Sequence, residues 1–391
     1  MTGIRVNIAK CATIGLLTLG AKAAVAQESK FYDANEYKAE MQLLDTKPVG
    51  PADEPWRQSV GATFIDTSKY KKAGPYTICF SNAGVFNPWR AVGYKNMQAE
   101  VALHPEIKNF VVADAEGKDD KQIADIADLV NRGDCSVLIV SPNTTAALTP
   151  AVEQACQKLP VIVFDRGVDT KCPVTFITPL GGYAFGAAGA RYLADHLKKG
   201  AKVLALRVMP GVDVLEYRWI AAEKILKDAG LNVVGVEFSH DDRATAKSIV
   251  QDYLQRDGQI DGLWMDAGAT AVAALEAFAD AGFKYPVVTG EDQQDFLVQW
   301  KKDKLTGIAP TNPTFQWRTP IIASLMIMNG EKIPSPVWRL PQPTITNENL
   351  DQYVQTNMPP QHYALCGCEK LPGYPERWGG TKYGRRRPAA G

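Results

Sequence analysis

The chain has 391 residues, 46% hydrophobic and 22% charged, enough for more than one packed core. Lys plus Arg and Asp plus Glu both number 43, so no field of one sign draws the chain onto nucleic acid or an anionic membrane. Those two classes of partner are set aside.

Arg5 and Lys10 precede or flank the short apolar stretch Cys11 to Gly20, and Ala24-Val25-Ala26 fits the small-x-small cleavage rule. Residues 1–26 are therefore expected to be a cleavable signal peptide, with Lys22 its one departure from the pattern, and the mature chain to begin at Gln27 in the periplasm. The apolar stretch is too short to span a bilayer, no later segment offers the run of about twenty apolar residues a span needs, and a soluble mature chain is expected. Lys10 directly before Cys11 argues against a lipid anchor. Six of the seven cysteines remain after cleavage, an even number that suits an oxidising compartment. Cys156, late in a helical pattern, and Cys172, before the next strand, are expected to close a short loop worth about 3 kcal/mol. Cys366-Gly-Cys368 has no companion CxxC or clustered His, so a disulfide or free thiols are favoured over a metal site.

Residues 27–74 form an N-terminal extension, with a helix-like piece from Tyr32 to Leu44 and a Pro-rich loop after it. Short β-branched runs then alternate with amphipathic stretches, the pattern of βαβ units in parallel sheets. Ten strands are expected: 76–81, 109–114, 137–141, 161–165, 174–178, 202–207, 232–238, 262–266, 285–290 and 306–310. Ten exceed one ordinary sheet. Apolar stripes such as Ile123, Ile126, Ala127 and Val130 are core faces of the intervening helices, and right-handed crossovers place helices on both sides of each sheet. The fold class is α/β, with two doubly wound parallel-sheet lobes joined by a multi-strand hinge. Breaks at Thr178-Pro179-Leu180-Gly181-Gly182, at 309–313 and at 337–341 are expected lobe crossings. They divide the chain into 75–178 with 311–338 as lobe one, and 179–310 with 339–355 as lobe two. Residues 356–391 are a C-terminal tail, expected, like the extension, to wrap the core or stay loose rather than carry chemistry.

Ligands of open parallel sheets bind beyond the carboxyl ends of the strands, where loops and helix N-termini present polar groups. Those positions hold Phe86, Asn87, Trp89 and Arg90 after the first strand, Asp165 and Arg166 after the fourth, and Arg218 beyond the sixth. Asp241 and Asp242 follow the seventh, Asp266 the eighth, Glu291 and Asp292 the ninth, and Thr311 and Asn312 the tenth. A carboxylate accepts from neighbouring hydroxyls, an Arg donates a planar fork, and an aromatic covers the C–H face of a ring: this is the chemistry a sugar or polyol needs. Each alone has a plainer role, Trp89 in a core or Asp241-Asp242 as a helix cap, and their joint placement carries the reading.

In this order the residues resemble the ribose-type sugar-binding proteins, the type I periplasmic solute-binding proteins of ABC importers, over roughly 75–345. Asn87-Pro88-Trp89 is similar to the family's Asn-Pro-aromatic loop, VIVFDRGV (161–168) to its strand ending in Asp-Arg, Leu215-Glu216-Tyr217-Arg218 to its lobe-two Arg, and GEDQ (290–293) to its Gly-x-Asp element. The resemblance implies ligand contacts from Asn87, Trp89, Arg90, Asp165, Arg166, Arg218 and Asp292, and more loosely from Asp242, Asp266 and Thr311. Arg90 stands where many relatives carry a second aromatic, Asp241-Asp242 where a Phe-Asp pair is common, and Ala267 where an Asn is expected, so the ligand need not be ribose; a longer polyol, a sugar acid and a sugar phosphate stay open. The resemblance further implies a non-enzymatic, monomeric receptor without cofactor or metal, which closes on its ligand and delivers it to an ABC permease in the inner membrane. A receptor serving a sensor or chemotaxis system is the alternative. An enzyme is the rival class, yet no GxxxxGK[ST], GxGxxG after a strand, GxSxG or HExxH occurs. His240 near the expected cleft is the nearest candidate base, and Asp241 with Asp266 the nearest imitation of a glycosidase pair.

Overall fold

The runs VLIV at 137–140 and VIVF at 161–164 are apolar on both sides of the strand, as a parallel sheet covered on both faces demands, and in the computed structural model both strands are wholly buried. The structure describes residues 30–382; the expected signal peptide lies outside them. Alternate residues of the first sheet supply two cores. Ile78, Phe80, Ile139 and Ile162 pack with Met97 and Ile321 of helices Pro88–Val101 and Thr319–Asn329. Cys79, Leu138, Val140 and Val163 face the other way, against Ile126, Leu129, Leu148 and Val152 of helices Asp119–Asn131 and Thr145–Cys156. Each such side chain contributes about 1.5–3 kcal/mol on burial.

The first sheet has six parallel strands in the spatial order Val337–Leu340, Thr175–Pro179, Val161–Phe164, Val137–Ser141, Tyr76–Asn82, Ile107–Asp114. The second repeats that winding with Gly307–Pro310, Val287–Thr289, Gly262–Met265, Lys202–Arg207 and Asn232–Phe238, and adds Thr344–Thr346 as an antiparallel edge. Its helices also lie on both faces: Leu204, Leu263 and Val288 join one core, Val203, Ala205 and Trp264 another. The doubly wound expectation is met by both sheets.

All ten expected strands occur. The strand Val337–Leu340 was expected only as a crossing, because Pro334, Pro336 and Pro341 bracket it. It runs parallel to Thr175–Pro179, with Leu340 opposite Pro179. A division at 338 therefore falls inside a strand, and the chain changes sheets after Leu340. The other changes follow Pro179 and Pro310.

The extension docks against these crossings. Its helix Ala34–Leu43, capped by Asp33, sends Glu40 to the start of helix Gly182–His196, whose own N-cap is the side-chain-free Gly181. Glu40 Oε2 accepts from the Ala184 amide at 3.0 Å; burial pushes this carboxyl up to about 8. The Gly-rich run at 181–189 serves close helix packing: a Cβ on Gly186 would sit 1.9 Å from the Arg218 carbonyl oxygen of the neighbouring helix.

Disulfides join Cys79 to Cys135, Cys156 to Cys172 as expected, and Cys366 to Cys368, across sequence separations of 56, 16 and 2. Loop-closure entropy gives the first about 4 kcal/mol and the last less than half of that. Among the described residues no helix is long and apolar enough to cross a membrane.

Candidate ligand-binding site

The winding order places the carboxyl ends of Tyr76–Asn82 and Val137–Ser141 in one sheet, and of Lys202–Arg207 and Gly262–Met265 in the other, at the points where helices depart to opposite faces. Between the loops that follow lies a small space, about 50 Å³, lined by Asn87, Trp89, Arg90, Asp165, Arg166, Arg218 and Asn312 of the expected set.

Asn87 caps helix Pro88–Val101, its Oδ1 accepting from the Arg90 amide at 2.9 Å, while its Nδ2 donates 2.8 Å to Asp241 Oδ2 on the opposite lobe. Pro at the first helical position fits the same start. Trp89 donates from Nε1 to the Asn312 carbonyl at 2.6 Å and packs edge-on against Trp317. Arg90, 1% exposed, donates from Nη2 to Asp165 Oδ2 at 2.5 Å and from Nη1 to Ser141 Oγ at 3.2 Å. Burial lowers this guanidinium to about 10, against the pull of Asp165. Asp165 and Asp241 both sit in the left-handed region, at φ 70° and 57°. Aspartate tolerates that region better than most residues, and such strained backbone gathers at functional sites.

Arg166 donates from Nη1 to the Asn143 carbonyl at 2.5 Å, with Nε 3.9 Å from Asp165. On the second lobe Arg218 lies over the Phe185 ring at 3.8 Å, donates to the Asp266 carbonyl and stands 3.5 Å from Glu291 Oε1. Burial pushes Glu291 up to about 8 against Arg218, and raises Asp241 against Asn87 and the arginines.

Five expected residues do not line this space. Asp242 is exposed and caps helix Arg243–Asp257 by accepting from the Thr245 amide and hydroxyl; the cleft receives Asp241 instead. Asp292 is turned toward the tail, where Oδ2 accepts from the Leu365 amide at 2.7 Å, and Glu291 takes its place. Asp266 lies beneath the floor, Oδ1 accepting from the Val208 amide at 2.9 Å and Oδ2 3.6 Å from Arg207 Nε, with burial raising it to about 7. Thr311 is tied by its hydroxyl to the Pro343 carbonyl. Phe86 is 49% exposed, its ring centroid 5.1 Å from the Arg90 guanidinium carbon. His240 is exposed and outside the lining, so it offers no base to the cleft.

Sequence reasoning placed Asp241 and Glu291 at strand ends but chose their neighbours Asp242 and Asp292 as ligand contacts, and it missed Tyr363 altogether. The cap spacing from Asp242 to Thr245 would have assigned Asp242 to the helix and freed Asp241 for the cleft. Tyr363 had no such mark, because it belongs to the tail. That tail wraps the core, as expected, and beyond that expectation brings Tyr363 to the cleft: it pairs with the second lobe, the amides of Gln294 and Asp295 donating to the His362 and Pro360 carbonyls. It also holds the first lobe, where Asn96 Nδ2 donates to the Cys366 carbonyl and Trp378 Nε1 to Asn96 Oδ1. Leu365 touches both, its amide donating to Asp292 and its carbonyl accepting from the Phe315 amide.

The periplasmic binding protein domain model matches residues 78–332. A ribose import binding protein of Bacillus subtilis (strain 168) is 26% identical over 259 residues, 66% of this chain and 83% of the relative. An ABC transporter solute-binding protein from Bacillus halodurans C-125, solved with bound myo-inositol, superposes with a TM-score of 0.66 at 20% identity, over 72% of this chain and 98% of that one. The periplasmic binding component of the arabinose ABC transporter from Shewanella sp. ANA-3 gives 0.64 at 18% identity, over 71% and 93%. Since the family model runs over well more than half of its length, the chain belongs to the periplasmic binding protein domain family, whose members act outside the cytoplasm.

Proposed function

We propose that the protein is the periplasmic, monomeric receptor of an ABC importer, exported by its N-terminal signal peptide, which captures an uncharged sugar or polyol between its lobes and hands it to the membrane permease. It is a binding protein rather than an enzyme, as its family is. Residues 75–178 with 311–340 make one lobe and 179–310 with 341–355 the other.

The observation that carries this reading is that each cleft guanidinium already faces a carboxyl group: Arg90 and Arg166 share Asp165 at 2.5 and 3.9 Å, and Arg218 stands 3.5 Å from Glu291. An anionic ligand would have to displace these partners, whereas hydroxyls insert beside them, donating to Asp165, Asp241 and Glu291 and accepting from the arginines. Trp89 offers its face to the ligand's C–H groups. A relative that imports ribose and structural neighbours that hold myo-inositol and arabinose agree with this class. The Asn87–Asp241 bond ties one side of the cleft to the other, so the lobes part to admit the ligand, breaking that bond, and close over it.

The test is a thermal-shift screen of refolded mature protein against pentoses, hexoses, polyols, sugar acids and sugar phosphates, beside Asp165→Ala and Arg166→Ala. A native-state ligand raises the melting temperature by mass action. A rise confined to uncharged sugars or polyols, lost in both variants and without turnover, is expected. A rise confined to sugar acids or phosphates overturns the uncharged-ligand reading.

A further inference from the structure

The tail carries a second cluster of chemistry that the cleft does not use. His362, Cys366 and Cys368 are each 0% exposed, and one ligand atom from each lies within 4.8 Å of the others. Neither ring nitrogen of His362 has a hydrogen-bond partner. A buried, wholly unpaired imidazole is costly and calls for an explanation such as an ion. Its position is fixed by backbone bonds, His362 N donating to the Pro359 carbonyl at 3.0 Å and the His362 carbonyl accepting from the Gln294 amide at 2.8 Å. The Cys366–Cys368 disulfide spans a separation of only 2, against 56 and 16 for the other pairs, so it closes the smallest loop and restrains the unfolded chain least. Stability gives little reason for placing these two sulfurs beside that ring.

We propose that, when the Cys366–Cys368 pair is reduced, His362, Cys366 and Cys368 form a three-ligand site for Cu(I), so that disulfide and metal are alternative states of the same two sulfurs. Two thiolates and an imidazole are a soft donor set. Among the described residues no fourth Cys, His, Asp or Glu joins the group. Structural zinc sites almost always have four protein ligands, so a three-coordinate monovalent ion fits better. The chemistry balances with a dithiol as reductant: it gives two electrons and two protons to the S–S bond and becomes a disulfide itself. Binding then forms two S–Cu bonds and one N–Cu bond and releases the two thiol protons. The site lies outside the matched span 78–332, and it does not depend on the sugar reading.

The mature chain is reduced anaerobically with dithiothreitol, loaded with Cu(I), desalted and assayed for bound copper by competition with a chromophoric Cu(I) chelator. The same treatment of Cys366→Ser/Cys368→Ser reports copper held by the other four cysteines. Reduced wild type is expected to retain one more Cu(I) than that variant, His362→Ala to bind at least tenfold more weakly, and the oxidised protein to show no such excess. Copper should also shield Cys366 and Cys368 of the wild type from alkylation, mapped by peptide mass spectrometry, a readout that needs no variant to fold. Equal copper in wild type and the double variant, unchanged affinity in His362→Ala, or alkylation indifferent to copper would each overturn the site.

Discussion

Replacing Asp165 with Asn keeps its shape and removes its charge, which separates what the residue does for the fold from what it does for the ligand. In the native protein Arg90, 1% exposed, is held at 2.5 Å by Asp165 Oδ2, and burial already weakens its hold on the proton. Stripping the counter-charge leaves an uncompensated buried cation, which costs about 3–5 kcal/mol of stability. Hydrogen bonds to a charged group contribute about 1.5–3 kcal/mol, so the dissociation constant for the sugar or polyol should rise about 10- to 150-fold. Arg90→Met/Asp165→Leu removes both charges at similar volume. It should recover the part of the loss that belongs to Arg90, as replaced buried ion pairs do, with Arg166 still lacking its 3.9 Å partner, yet fail to recover binding. Urea unfolding of the unliganded variants and calorimetric titration with the ligand found in the screen measure the two halves separately. Asp165→Asn unfolding within about 1 kcal/mol of wild type, or a double variant that binds normally, would refute the reasoning.

Glu40 makes stability depend on pH. Its folded value, raised from 4.5 to about 8, means the native state holds the proton longer than the unfolded chain. The contribution is full below about pH 4.5 and lost as pH rises through about 8, on the order of 4 kcal/mol. Glu40→Gln should flatten the fall in urea midpoint between pH 5 and 8, and parallel curves would contradict the assignment. Loss of the 79–135 disulfide in Cys79→Ala/Cys135→Ala should destabilise by about 4 kcal/mol, read by chemical unfolding, against a much smaller loss for the Cys366→Ser/Cys368→Ser pair. Tyr363→Phe should leave the unfolding midpoint in place and weaken ligand binding by about 2- to 12-fold, the loss of one neutral hydrogen bond; identical titration curves would remove Tyr363 from the set of contacts.

The strands 137–141, 202–207 and 232–238 run in the structure over the same residues the pattern marks, because β-branched runs bounded by turn residues have few other stable outcomes. Strand Val337–Leu340 was hidden by flanking prolines, whose breaking tendency is local, while its pairing with Thr175–Pro179 is a contact across more than 150 residues of chain. The cleft divides in the same way. Asn87, Trp89, Arg90, Asp165, Arg166 and Arg218 come after strand ends, where topology alone sends side chains toward the cleft. Choosing between adjacent acids, Asp241 or Asp242 and Glu291 or Asp292, turns on backbone dihedrals and caps, with Asp241 at φ 57° and the helix-capping Asp242 at φ −90°. Tyr363 reaches the cleft from a segment with neither periodicity nor motif, so only the folded chain brings it there.

Leu365 carries a mechanical consequence for the opening proposed above. One residue, two after Tyr363, is fastened to both halves of the molecule, through its amide to Asp292 and through its carbonyl to the Phe315 amide. A single residue spans at most about 3.6 Å, so the rim at this point has almost no slack. Beyond that travel one fastening must let go, and the tail then leaves with the other half. If the lobes part as proposed, the tail limits how far they separate before Tyr363 is drawn out of the cleft, which would link the width of opening to the removal of one wall of the site.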